Sequence, residues 1–203
     1  MNFDTLTAEQ IGQLFPIRIE PYNPDWITLF EQEKVLITNV LGELIVNVEH
    51  IGSTSIAGLP AKPTIDILVE VLQLNDEIKQ IITQKMQLLG YKNMQNSEKK
   101  NSMTFGKGYD EHNIDAQTYH THIREKGAMP QDEILFRDYL RQHPDACSEY
   151  AKLKYALAEK HQFNREAYTE GKSEFITNKK NIYEKNHPHR KCAQSDWSLQ
   201  PSN

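Results

Sequence analysis

The chain has 203 residues, 38% hydrophobic and 25% charged, with a formal net charge of −5. That length supports one core, or one core with a helical annex, and the composition excludes wholesale disorder. The acidic balance argues against a broad nucleic-acid surface, and no apolar run approaches the roughly eighteen residues of a membrane span.

The first ten residues, MNFDTLTAEQ, lack the basic start and apolar stretch of a secretion signal. Cys147 and Cys192 lack metal-site spacing, so a cytoplasmic chain without a disulfide framework is expected. Thr7 to Leu14 reads as a short helix, because Thr7 and Gln10 have capping-box spacing and Pro16 prevents its continuation. Ile17 to Ile19 reads as a short strand. From Asp25 to Leu41 apolar residues recur at helical spacing, with Gly42 just beyond the end. Leu44 to Val48 and Ile65 to Val71 are strand-length and rich in β-branched residues. Ile78 to Leu89 predicts a second amphipathic helix. Strands are expected over Tyr91–Met94, Ser102–Lys107 and Asn113–Arg124; alternation in the last places Ala116, Thr118, His120 and His122 on one face.

After Pro130 the pattern turns helical. Stripes run through Leu135 to Leu140, Tyr150 to Ala158, and Tyr168 to Tyr183. Residues 186–203 have no period and read as a tail. The expected organisation is an α/β core over about 15–128 and a helical annex over about 129–185, forming one domain across 1–185.

The stretch HIGSTSIAGLPAKPTIDILVEV, residues 50–71, concentrates the chemistry. Gly52, Ser53 and Thr54 offer backbone N–H groups and hydroxyls to phosphate oxygens, and Lys62 adds a cation. The bland alternative is an ordinary polar turn. Asp66 interrupts an apolar strand, where an unpaired charge is costly, which points to a metal ligand or general base. A carboxylate satisfied by turn amides or a lysine is the structural alternative. His120 and His122, two apart on a strand and so about 6.6 Å apart, are close enough to converge on one ion or ligand. Arg137, Lys154 and Lys172 stand beside apolar stripes of the annex. They either point back to the phosphate turn or snorkel with their stems over the core.

These motifs, together with YHTHI (119–123), FRDYLRQHP (136–144), YAKLKYALA (150–158) and YTEGKSEFI (168–176) in that order, resemble the GrpB family over roughly residues 17–180. The resemblance implies a nucleotidyltransferase-like fold, a mixed β-sheet with packed helices. It also implies a Gly-Ser turn and, after it, a strand bearing Asp-apolar-Asp. Gly52-Ser53 and Asp66 match, but Leu68 stands at the second carboxylate position. Glu70 lies about 13 Å along the strand from Asp66, too far to share an Mg²⁺ ion whose ligand bonds are about 2.1 Å. A second ligand is therefore expected from another strand, among Glu49, His50, Asp115, His120 and His122.

The expected function is a metal-assisted nucleotidyltransferase acting on a nucleotide or related phosphate compound. Mg²⁺ or Mn²⁺ would be held by Asp66 with His120 or His122. The alternatives are a nucleotide-binding module without transfer activity and a metal-dependent phosphoester hydrolase.

Overall fold

The computed structural model describes residues 7–94, 101–110, 113, 116–127 and 132–186. Helix α1, Ala8–Leu14, opens on the expected capping box, with Thr7 accepting from the Gln10 backbone N–H and the Gln10 side chain accepting from that of Thr7. The Ile17–Ile19 strand does not form. Its segment makes a single bridge, Glu20 to Ala61, and the Ile17 N–H donates instead to the Gln162 carbonyl. With one bridge and a partner in the annex, the segment has no ladder to join.

Helix α2, Asp25–Leu41, buries Trp26, Phe30, Ile37 and Leu41 against the sheet. Strand β1, Ile45–Ile51, and strand β2, Thr64–Val71, pair antiparallel across the turn between them. Helix α3, Asp76–Leu88, is capped by Asn75 and covers the same face as α2. Strands β3, Lys92–Asn93, and β4, Ser102–Lys107, form an antiparallel pair. Strand β5, Thr118–Glu125, is shorter than the expected Asn113–Arg124. The Ala116 N–H donates to Asn113, making a turn before the strand, while Ile114 and Asp115 lie outside the described residues.

The sheet order is β1-β2-β5-β4-β3, with β2 and β5 parallel and the other pairs antiparallel. This mixed sheet with packed helices bears out the expected α/β class. Central β2 is covered on both sides, which explains its near-continuous apolar sequence. Glu33 of α2 is buried on the core side and is satisfied by Lys107, whose Nζ lies 2.8 Å from Oε1.

The annex comprises α4, Asp132–Gln142, α5, Pro144–Lys160, α6, Arg165–Glu170, and α7, Ser173–Asn186. The expected stripe from Tyr168 to Tyr183 is broken between α6 and α7. A Cβ at Gly171 would meet the end of the Leu157 side chain at 2.6 Å, so a larger residue there makes Leu157 shift. Ile56 and Leu59, from the β1–β2 connection, join Phe136, Tyr139, Leu140 and Tyr150 in the annex core. The annex therefore packs directly on the β1–β2 turn. Helix α7 ends at Asn186, and the remainder of the expected tail lies outside the described residues.

Candidate functional site

Gly52 adopts φ +71°, and a Cβ there would fall 2.3 Å from Asp66 Oδ2. Glycine is thus needed both for the backbone angle and for the carboxylate's position. Ser53–Ser55 then makes one tight turn, in which the Ser55 and Ile56 N–H groups donate to the Gly52 and Ser53 carbonyls. Those two amides close the turn and do not face a ligand. Thr54 is buried and its hydroxyl donates to the Thr64 carbonyl at 3.1 Å, while His50 Nε2 lies 3.1 Å from the same hydroxyl oxygen. That network makes His50 Nε2 the protonated ring nitrogen. The Ser55 hydroxyl donates to the Gly52 carbonyl at 2.6 Å.

Asp66 and His120 are register partners on the parallel strands β2 and β5. His120 Nδ1 stands 3.5 Å from Asp66 Oδ1, and its Nε2 lies 2.5 Å from the Tyr109 hydroxyl. Burial pushes the Asp66 pKa up, but the hydrogen bond and charge of His120, with His122 and Lys62, outweigh it and hold the carboxyl below its ordinary range. His122 is paired with Leu68, and its Nδ1 is 3.5 Å from the Thr104 hydroxyl. The two histidine rings stand 6.5 Å apart at 80°. His120 is oriented by Asp66 and Tyr109, and His122 by Thr104.

A cavity of about 240 Å³ opens beside the turn, and its lining includes Ser53, Thr54, Lys62, Asp66 and His120. The annex contributes Lys154, Arg165 and Lys172 to the same wall. Lys154 is 1% exposed; its Nζ donates to the Pro60 carbonyl and sits 4.9 Å from the Tyr150 ring centre. Lys172 Nζ lies 4.3 Å over the Tyr168 ring. Burial, reinforced by Arg165, lowers the Lys62 pKa to about 7, with Asp66 opposing the shift. Burial and the neighbouring Lys172 likewise lower Lys154 to about 7. Burial also lowers Lys172, although Asp66 counteracts it.

Of the expected site residues, Gly52, Ser53, Thr54, Lys62, Asp66, His120, Lys154 and Lys172 meet here. Arg137 and His122 do not. Arg137 Nη1 donates to Glu49 at 2.8 Å and to the His50 carbonyl at 2.9 Å, and Nε donates to Asp138 at 2.9 Å. Its guanidinium is committed to tying α4 onto β1. Glu49 is thereby taken as well, and His50 lies on the opposite, core-facing side, stacked 4.6 Å from Phe30. Arg165 went unseen in the sequence, where its only local signal is Asn164 capping a six-residue helix.

Among the described residues no group of three or more His, Cys, Asp and Glu has the arrangement of a metal site. Among those same residues, Asp66 is the sole carboxylate lining the cavity, amid Lys62, Lys154, Arg165 and Lys172. Mg²⁺ and Mn²⁺ favour several hard oxygen ligands, so this donor set does not fit the expected ion. Its excess of cations suits an anion.

The model for the family described as GrpB protein matches residues 16–181. UPF0157 protein YqkA of Bacillus subtilis is 37% identical over 170 residues, covering 82% of this chain and 48% of that protein. The chain thus spans about half the length of that relative. Glutamate-rich protein GrpB of Alkalihalophilus pseudofirmus is 34% identical over 156 residues, 76% of this chain and 88% of that one. The crystal structure of conserved protein GrpB from Enterococcus faecalis matches with a TM-score of 0.74 and 30% identity, covering 84% of this chain and 99% of that chain.

Proposed function

The chain belongs to the GrpB family, and from that premise we propose that its cavity binds the phosphate group of a nucleotide or related phosphate compound. The observation that carries this reading is the convergence of Lys62, Lys154, Arg165 and Lys172 on one wall of an acidic protein. Lysines whose protons are loosened by burial, with Arg165 and Lys172 adding to it, are destabilising without a counter-charge, and a phosphate dianion supplies one. The cavity, at about 240 Å³, lies just below the roughly 300–1,000 Å³ of common ligand pockets, so it suits a phosphate and a small attached body.

Thermal stability with inorganic phosphate, pyrophosphate and nucleoside phosphates tests the proposal. A ligand at one hundred times its dissociation constant stabilises the native state by about 2.7 kcal/mol. Lys172→Met and Lys154→Met are expected to fold and to lose most of that shift. No shift at millimolar concentrations, or an undiminished one in both variants, overturns the binding reading.

Nucleotidyl transfer is a second reading, favoured by the packing of Asp66 against Gly52 at the start of the turn. In it, Asp66 and His120 handle the acceptor proton. Pyrophosphate release with an acceptor present, assayed with and without Mg²⁺ or Mn²⁺, separates transfer from binding alone. Orthophosphate release without an acceptor would instead mark a hydrolase.

A further inference from the structure

A second cavity abuts the first. It measures about 130 Å³ and shares Lys62, Thr64 and Arg165 with the phosphate pocket. Its other walls carry more aromatic and proline surface, from Phe15, Pro16, Pro63, Tyr109 and Ala116, set beside the polar Arg18, Glu20 and Thr118. Phe15 and Tyr109 meet edge to face with ring centres 5.4 Å apart. The Tyr109 hydroxyl is held at His120 Nε2, which fixes the ring in place. The Arg165 guanidinium carbon lies 5.2 Å from the Tyr109 ring centre, and its buried Nε has no hydrogen-bond partner among the described residues. Arg165 thus forms a partition that is cationic toward one cavity and stacked on an aromatic ring toward the other.

The two compartments ask for different chemistry. Cations and a hydroxyl favour a phosphate, whereas rigid proline and aromatic walls favour a flat apolar body. The second cavity's volume of about 130 Å³ is close to the roughly 150 Å³ that holds one benzene molecule, so in size it suits a single ring rather than a large fused system. We infer that the protein takes a phosphate monoester carrying a single flat unsaturated ring. The phosphate sits in the cationic cavity, the ring lies between the Phe15–Tyr109 pair and the prolines, and Lys62 and Arg165 mark the junction. This inference rests on the phosphate-binding reading and deepens it.

The test compares methyl phosphate with phenyl phosphate, which carry the same charged group, by titration calorimetry on the full chain. Phenyl phosphate is expected to bind at least about tenfold tighter, because only it buries a ring. Ala116→Phe fills the second cavity from a half-buried loop position and leaves the lysines in place. That variant is expected to keep the methyl phosphate affinity and lose the phenyl advantage. Equal affinities in the wild type, or a phenyl advantage that survives Ala116→Phe, overturn the ring compartment while leaving phosphate binding intact. If neither compound binds, the phosphate reading falls and takes this one with it. The wild-type comparison decides the matter even if Ala116→Phe fails to fold.

Discussion

Lys62 and Lys154 sit near their titration points at neutral pH, because burial and neighbouring cations loosen their protons. A bound phosphate reverses both effects, so their pKa values rise in the complex and binding takes up protons. Calorimetric titrations at pH 7.5 in buffers of different ionisation heat should show net uptake, with affinity falling as pH climbs above about 7. A buffer-independent heat would contradict this assignment. His50 behaves in the opposite sense. Burial lowers it to about 4 from 6.5, with Arg141 and Arg137 assisting and Asp66 opposing. Between those values the unfolded histidine is protonated and the folded one is not, so stability is lost as pH falls from 6.5 toward 4. The window is worth on the order of 3 kcal/mol. Urea unfolding of His50→Gln at pH 6.5 and 4.5 should show a flatter dependence than the wild type. Asp66 was legible in the sequence because a charge inside an apolar strand has few structural excuses. Arg165 was not, because an arginine opening a short exposed-looking helix carries no mark of its partners.

At the scale of elements, Arg137 decides how α4 sits on the sheet. Its contacts to Glu49, Asp138 and the His50 carbonyl form a partly buried cross-link between annex and core. Arg137→Met should cost about 2–4 kcal/mol by leaving those acceptors unpaired, yet leave phosphate affinity of the folded protein unchanged. A large loss of affinity at unaltered stability would return Arg137 to the binding wall. Local signals read well here: the capping box placed α1, and helical spacing between Asp25 and Gly42 gave α2 its bounds. Ile17–Ile19 misled because its alternation, with Ile17 buried and Arg18 exposed, imitates a strand's while the Ile17 N–H goes to Gln162. The stripe around Tyr168 and Phe175 misled because its apolar spacing runs on across the point where α6 ends at its cap, Gly171.

For the whole molecule, the α/β class and the annex are readable from periodicity, but the strand order is not. The pocket is illegible for the same reason, since its walls come from the β1–β2 turn, β2, β5, α5, α6 and the α6–α7 link. The parallel pairing of β2 with β5 has a consequence for how the protein is made. Thr64 and Thr118, at the head of that pair, are separated by 54 positions, so its registry demands a long-range search, while the neighbouring β1–β2 hairpin closes locally. During synthesis the ribosome releases Asp66 long before Lys154 and Lys172. The nascent chain therefore carries Asp66 and Lys62 without the annex cations, and the cavity wall is complete only when the annex has emerged and docked.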